Sequence, residues 1–176
     1  DLSYILSSLN SIEKYLRKGQ ILVLESTTFP GTTDGILKPF LEKLKFKIGD
    51  NFFLIYSPER EDPGNKVFET TQIAKIIGGD TELCSEIGMR LYSKIFPNIF
   101  QVSSSRAAEM TKLLENIFRA VNIGMVNELK ELAEKLDIDI FEIIKAASTK
   151  PFGFIPFYPG PGVGGHCIPI DPYYLS

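Results

Sequence analysis

The strongest constraint on this chain is an alternation. Four short apolar runs, ILVLEST (21–27), FFLIYSP (52–58), AKIIGG (74–79) and IFQVSS (99–104), are separated by segments of helical spacing. Runs this short, rich in β-branched and aromatic residues, have the form of strands buried on both faces of a parallel sheet. Between them, Ile5, Leu6, Leu9, Ile12, Tyr15 and Leu16 predict a helix over 3–18 that Gly19 stops, and a second helix is predicted over 33–46. Asp80 is placed to cap a third, ending near Phe96 ahead of Pro97. Strands alternating with helices imply a right-handed, parallel α/β layer structure. Such sheets bind ligands at the carboxyl ends of their strands. Two polar, Pro- and Gly-bearing loops are predicted at that edge: STTFPGTT after the first strand and SPEREDPGN after the second.

After Ser105 the texture changes. Residues 106–135 contain no Pro and one Gly, and Met110, Leu113, Leu114, Ile117, Val121, Met125, Leu129 and Leu132 recur at helical spacing. This predicts a single helix of about thirty residues, long for a globular protein. Its apolar residues exceed one narrow stripe, which fits packing against a partner subunit. Asp139 and Glu142 resemble a capping box that starts a short helix ending near Ser148. The last stretch, KPFGFIPFYPGPGVGGHCIPIDPYYL, has too many Pro and Gly residues for a regular element, yet its aromatics want burial. The chain therefore divides into 1–104, 105–150 and 151–176.

Charge and cysteine usage narrow the function classes. Nineteen basic against 22 acidic residues, net −3, argue against a broad nucleic-acid footprint. No run of about eighteen apolar residues predicts a membrane span. One His and two Cys, at 84 and 167, are too few for a His/Cys zinc site. They form no CxxC pair, which fits a reducing cytoplasm. The start lacks both Met and a signal-peptide pattern, and the end closes no element. Both ends are therefore expected to be cut from a longer chain.

GPGVGG at 160–165 satisfies GxGxxG formally, but a dinucleotide fingerprint needs a strand before it and a helix after it, and both flanks carry Pro. A tight backbone loop that approaches a ligand closely is the better reading. Cys167 follows it directly. Two readings stay open: a small buried hydrophobe, or a nucleophile held in a rigid Gly/Pro frame. His166 is an unpromising base for it, because adjacent side chains point apart. Lys112 and Asn116, four apart on the long helix, share a face. That face is either solvated or turned to a cleft, with Lys112 supplying charge to an oxyanion and Asn116 holding an oxygen. Glu59 and Thr28 each stand at a strand's carboxyl end, while Asp171 alone reads as a loop cap.

Taken in order and spacing, STTFPGTT, YSPEREDPGN, AEMTKLLENIFRAVNIGMVNELKELAEK and GPGVGGHCIPIDPYYL resemble the UDP-glucose/GDP-mannose dehydrogenase family, from about residue 20 to the end. The SPEREDPGN and GGHCIPIDPYYL forms are most similar to the branch acting on UDP-N-acetylhexosamines. The resemblance implies that 1–104 is the rear of a Rossmann-like NAD-binding domain, 105–150 a helical dimerisation domain and 151–176 a catalytic Gly/Pro loop. It implies oxidation of a sugar C6 alcohol to a carboxylate with NAD. Cys167 would be the nucleophile of a thiohemiacetal and thioester, and Lys112 and Asn116 would stabilise oxyanions. Asp171 would orient water and a neighbouring ammonium, Glu59 would be the acid/base of hydrolysis, and Thr28 would position that water. Thr27, Thr28 and Cys167 would contact NAD; Glu59, Arg60, Lys112, Asn116, Tyr158, Gly162 and Gly164 would contact the UDP-sugar.

Departures from the family pattern are informative. Arg60 and Glu61 stand where UDP-glucose enzymes carry an apolar pair, and Pro63 where they carry a second Glu. An arginine that reaches the partner's substrate has no clear counterpart, Lys150 being the nearest cation. A front half with a true fingerprint and a third, uridine-binding domain are missing, so the isolated segment is expected to turn over little or not at all. Other readings are the UDP-N-acetylmannosamine, UDP-glucose or GDP-mannose branches, or a non-catalytic dimerisation module.

Overall fold

The computed structural model describes residues 2–61, 70–162, 164 and 170–175. They form two compact units, Asp1–Met110 and Thr111–Ser176. In the first, α1 (Ser3–Ile12) leads to β1 (Ile21–Leu24), and a π-helical turn, Thr33–Leu37, runs into α2 (Lys38–Lys43). Then follow β2 (Phe53–Tyr56), β3 (Lys75–Gly79), α3 (Glu82–Tyr92) and β4 (Ile99–Gln101). Helix α4 (Ser105–Lys135) begins in this unit and continues into the second, which adds α5 (Ile140–Ala147) and a 3-10 turn, Asp171–Leu175.

The sheet order is β1-β2-β3-β4. β1 pairs parallel with β2, and β3 with β4, each pair bridged by a helix. β2 and β3 are antiparallel, Ile55 opposite Gly79 and Tyr56 opposite Gly78, so the expected parallel α/β sheet is mostly parallel and carries one antiparallel pair. The reason lies in the connection. A parallel neighbour needs a crossover packed on the sheet face, and among the described residues the β2–β3 connection carries only a 3-10 turn, Thr70–Gln72. The consequence matters for the site, because the amino end of β3 now joins the carboxyl ends of β1 and β2.

Both faces of β2 are covered. Leu54 and Tyr56 pack on one side with Leu9, Leu24, Leu37, Leu41 and Phe52; Ile55 packs on the other with Ile77, Cys84 and Tyr92. Each such Leu, Ile or Phe side chain contributes about 1.5–3 kcal/mol of burial. Cys84 has no exposed surface and acts as a small hydrophobe here.

Local chemistry explains the element ends. α1 ends at Ile12 and passes into a 3-10 turn, Glu13–Tyr15, short of Gly19. Gly19 instead takes φ +82 and donates to Asn51 O at 2.8 Å, fixing the entry to β1. α3 is capped by Thr81, not Asp80: the Thr81 hydroxyl accepts from Cys84 N, while Asp80 pairs with Lys38 at 2.9 Å. Asp139 caps α5 as expected, accepting from Phe141 N at 2.9 Å. Ala133, Ile140 and Ile144 form the small core beneath it. Among the described residues no helix is long and apolar enough to cross a membrane.

Candidate active site

Within the first unit, the loops that follow β1 and β2 are tied together by backbone: Ser57 N donates to Leu24 O at 3.0 Å and Glu59 N to Glu25 O at 3.3 Å. They carry Thr27, Thr28 and Glu59 to the sheet edge the sequence pointed to. Thr28 is fully buried and its hydroxyl has no hydrogen-bond partner among the described residues, while Thr27 is half-buried. Directly after it, residues 29–34 are held from the first turns of α4. Glu109, with no exposed surface, accepts from Gly31 N (2.6 Å), Thr33 N (2.8 Å) and Thr33 Oγ1 (2.6 Å). Arg106 Nε donates to Asp34 Oδ2 at 2.7 Å. Gly31 sits at φ +104, which disfavours any side chain there.

Glu59 lies in a denser electrostatic cluster. Its Oε1 accepts from the backbone N–H of Arg60 (2.8 Å) and Glu61 (2.9 Å), and its Oε2 lies 3.3 Å from Lys75 Nζ. Lys75, 5% exposed at the start of β3, also pairs with Glu25 Oε1 at 3.0 Å. Tyr92 of α3 donates its hydroxyl to that same oxygen at 2.7 Å. The ammonium lies 5.4 Å and 5.6 Å from the ring centres of Tyr92 and Phe96. Burial pushes the Glu59 carboxyl up, but the two backbone donors and the Lys75 charge outweigh it and leave Glu59 below the ordinary carboxylate value. Burial and the Glu25 hydrogen bond push the Tyr92 phenol up. Arg60 donates to Ala74 O at 2.7 Å.

Within the second unit, Asn116 Nδ2 donates to Asp171 Oδ2 at 2.5 Å. The two are 3% and 4% exposed and 55 residues apart in sequence. Asp171 is thus no simple loop cap. Lys112, one turn before Asn116 on α4, is half-buried. Residues 151–162 lie along α4: Phe157 meets Phe118 edge-on at 5.7 Å, and Gly160 N donates to Asn127 Oδ1 at 2.9 Å. Tyr158 is exposed, no atom of the described residues comes within 4 Å of a Cβ built on Gly162, and Gly164 takes φ +67. Cys167 and His166 lie outside the described residues. The sequence reading missed Glu109, Lys75, Glu25 and Tyr92. The one available signal was a lysine opening the apolar run of β3.

Residues 1–96 match the model of the UDP-glucose/GDP-mannose dehydrogenase family, NAD binding domain, and residues 106–176 that of the same family's central domain. The chain therefore belongs to the UDP-glucose/GDP-mannose dehydrogenase family, which makes NAD the implied cofactor. It is 41% identical to the UDP-N-acetyl-D-glucosamine 6-dehydrogenase of Pseudomonas aeruginosa, over 100% of this chain and 42% of that protein. It is 42% identical to protein CapL of Staphylococcus aureus, with the same coverage. Among solved structures, the UDP-D-ManNAc dehydrogenase of Pyrococcus horikoshii superposes with TM-score 0.91 at 35% identity, covering 99% of this chain and 41% of that one. The chain thus spans about two fifths of the length of these relatives.

Proposed function

We propose that the protein oxidises the C6 alcohol of a UDP-N-acetylhexosamine to the uronic acid, with UDP-N-acetylglucosamine as first choice of substrate. It does so in the cytoplasm, as the catalytic core of a nucleotide-sugar 6-dehydrogenase that supplies surface polysaccharide synthesis. The observation that carries this reading is the buried Asn116–Asp171 pair. Two residues chosen for oxyanion and water chemistry on separate motifs meet in one hydrogen bond.

The buried Thr28 hydroxyl, unpartnered among the described residues at the carboxyl end of β1, fits NAD bound at that edge. Thr27, Thr28 and Cys167 would hold it. Bound there, NAD+ would supply the hydride acceptor for both oxidations at C6. The other steps fall to the chain's own residues. Lys112 places positive charge beside the C6 oxygen as that oxygen passes its proton to a water oriented by Asp171, a contribution of about 10²–10³ in rate for one well-aimed donor. Donation to Asp171 fixes which end of the Asn116 amide is which, so the remaining polar atoms face the sugar oxygen in one orientation. The Cys167 thiolate forms a C–S bond to the aldehyde carbon and keeps the intermediate bound until it has become a thioester. Water then attacks the acyl carbon: the C–O bond forms, the C–S bond breaks, Glu59 takes the water proton, and sulfur leaves as thiolate. Tyr158, Gly162 and Gly164 cradle the sugar and pyrophosphate with exposed backbone, and Arg60 borders the sugar side.

A homodimer through α4 is part of the proposal. Leu114, Phe118, Val121, Met125, Leu129 and Leu132 repeat at three- and four-residue steps and are all exposed, Val121 by 62%. UDP-N-acetylmannosamine is the second substrate reading, favoured by the name of the Pyrococcus structure. Substitution of Cys167 by Ser in the full-length natural protein tests the mechanism. Net acid formation is expected to stop, and an unchanged NADH yield per sugar would refute the nucleophile.

A further inference from the structure

Lys75 has no part in the chemistry above, yet it is the buried centre of the cluster around Glu59. Its ammonium stands between two carboxylates on different loops, Glu25 after β1 at 3.0 Å and Glu59 after β2 at 3.3 Å. A buried lysine is costly unless its charge is met. Here it is met twice by carboxylates and again by the faces of Tyr92 and Phe96. The antiparallel setting of β3 is what delivers it, since the first residue of β3 lies at the carboxyl end of its neighbour. Both carboxylates it holds are about half-exposed, so the charge is anchored in the fold and its partners face outward.

We propose that Lys75 is a positioning residue of the reaction: bridging Glu25 and Glu59, it keeps Glu59 a charged proton acceptor, oriented to take the proton of the hydrolytic water. The inference rests on the proposed function and adds the residue that decides whether Glu59 starts that step as base or acid. Among the described residues, the titratable groups facing Glu59 are Lys75 from β3, Glu25 from the β1 loop and Tyr92 from α3. Arg60 and Glu61 flank it on its own loop, and their backbone N–H groups donate to it. Without the Lys75 charge, two carboxylates share the cluster, and one takes up a proton at higher pH. The titration belongs to the cluster as a whole.

Two readouts on the full-length natural protein test this: the pH profile of acid release with NAD+ and UDP-N-acetylglucosamine, and a carbon-13 carboxyl titration with the Glu59 signal assigned by its loss in Glu59→Gln. Lys75→Met is expected to move both the acid limb and the Glu59 titration upward by about one pH unit or more. Lys75→Arg, which keeps the charge, is expected to restore both. Glu25→Gln, at a half-exposed position where the amide oxygen can still accept from Tyr92, leaves Lys75 to Glu59 alone and is expected to move both downward. It decides the matter if Lys75→Met does not fold. A Glu59 titration that stays in place in Lys75→Met and Glu25→Gln overturns the pairing. A titration that moves while the acid limb does not overturns instead the role of Glu59 in proton transfer.

Discussion

A carboxylate without exposed surface keeps its place only where donors converge on it, and Glu109 receives three. Glu109→Ala strands two backbone N–H groups and a hydroxyl, so a loss of about 3 kcal/mol is expected in urea unfolding of the full-length natural protein. Its pH dependence has a definite sign. Burial raises the Glu109 carboxyl above its ordinary 4.5 against the pull of the Thr33 and Gly31 donors. A raised acid contributes stability that is complete below the unfolded value and lost as pH rises through the folded one. Glu109→Gln cannot ionise, so its deficit against wild type is expected to shrink from pH 4.5 toward neutrality. Urea midpoints across that window check this, and a deficit that widens contradicts it. Thr28 and Glu59 were legible because strand ends in an α/β pattern locate a ligand edge. Asn116 drew notice by its place on a helix face and Asp171 only through the family resemblance, alone reading as a loop cap; their pairing, 55 residues apart, was not legible. Nor were Glu109 and Lys75. In sequence they are ordinary charges, one on a helix and one opening a strand, and burial is a property of the tertiary fold.

At the scale of elements, β3 ends in two glycines because helices start on top of it. A Cβ on Gly78 would stand 2.3 Å from Ser104 O, and one on Gly79 would stand 2.3 Å from Ser85 N. Backbone cannot yield as a flexible side chain would. Gly78→Ala is therefore expected to cost about 1–3 kcal/mol, seen as a Tm lower by several degrees in the full-length natural protein; an unchanged Tm contradicts the close approach. The run AKIIGG announced a buried strand but not its direction. Direction depends on how the chain returns after β2, and the hydrophobic pattern of a doubly buried strand reads alike either way. Helix α4 was legible almost to the residue, since no Pro interrupts it. Its exposed stripe makes a further claim that Val121→Asp can test. Wild type is expected to sediment as a dimer and the variant to shift toward monomer, whereas identical profiles would count against α4 as the interface.

At the scale of the molecule, residues assigned to the proposed chemistry occur in each of the two units. The first bears the loops of Thr27, Thr28 and Glu59; the second bears Lys112, Asn116 and Asp171, with Cys167 in its closing segment. The proposed four-electron oxidation at one carbon requires a covalent holding step, because an alcohol dehydrogenase without one would release the aldehyde after one hydride. The stoichiometry of the reaction therefore tests the central claim most directly. With the full-length natural protein, NAD+ in excess and UDP-N-acetylglucosamine limiting, the account expects two NADH per sugar consumed and the uronic acid as sole product. One NADH per sugar with free aldehyde, or no NADH from this sugar, UDP-N-acetylmannosamine, UDP-glucose and GDP-mannose alike, would contradict it.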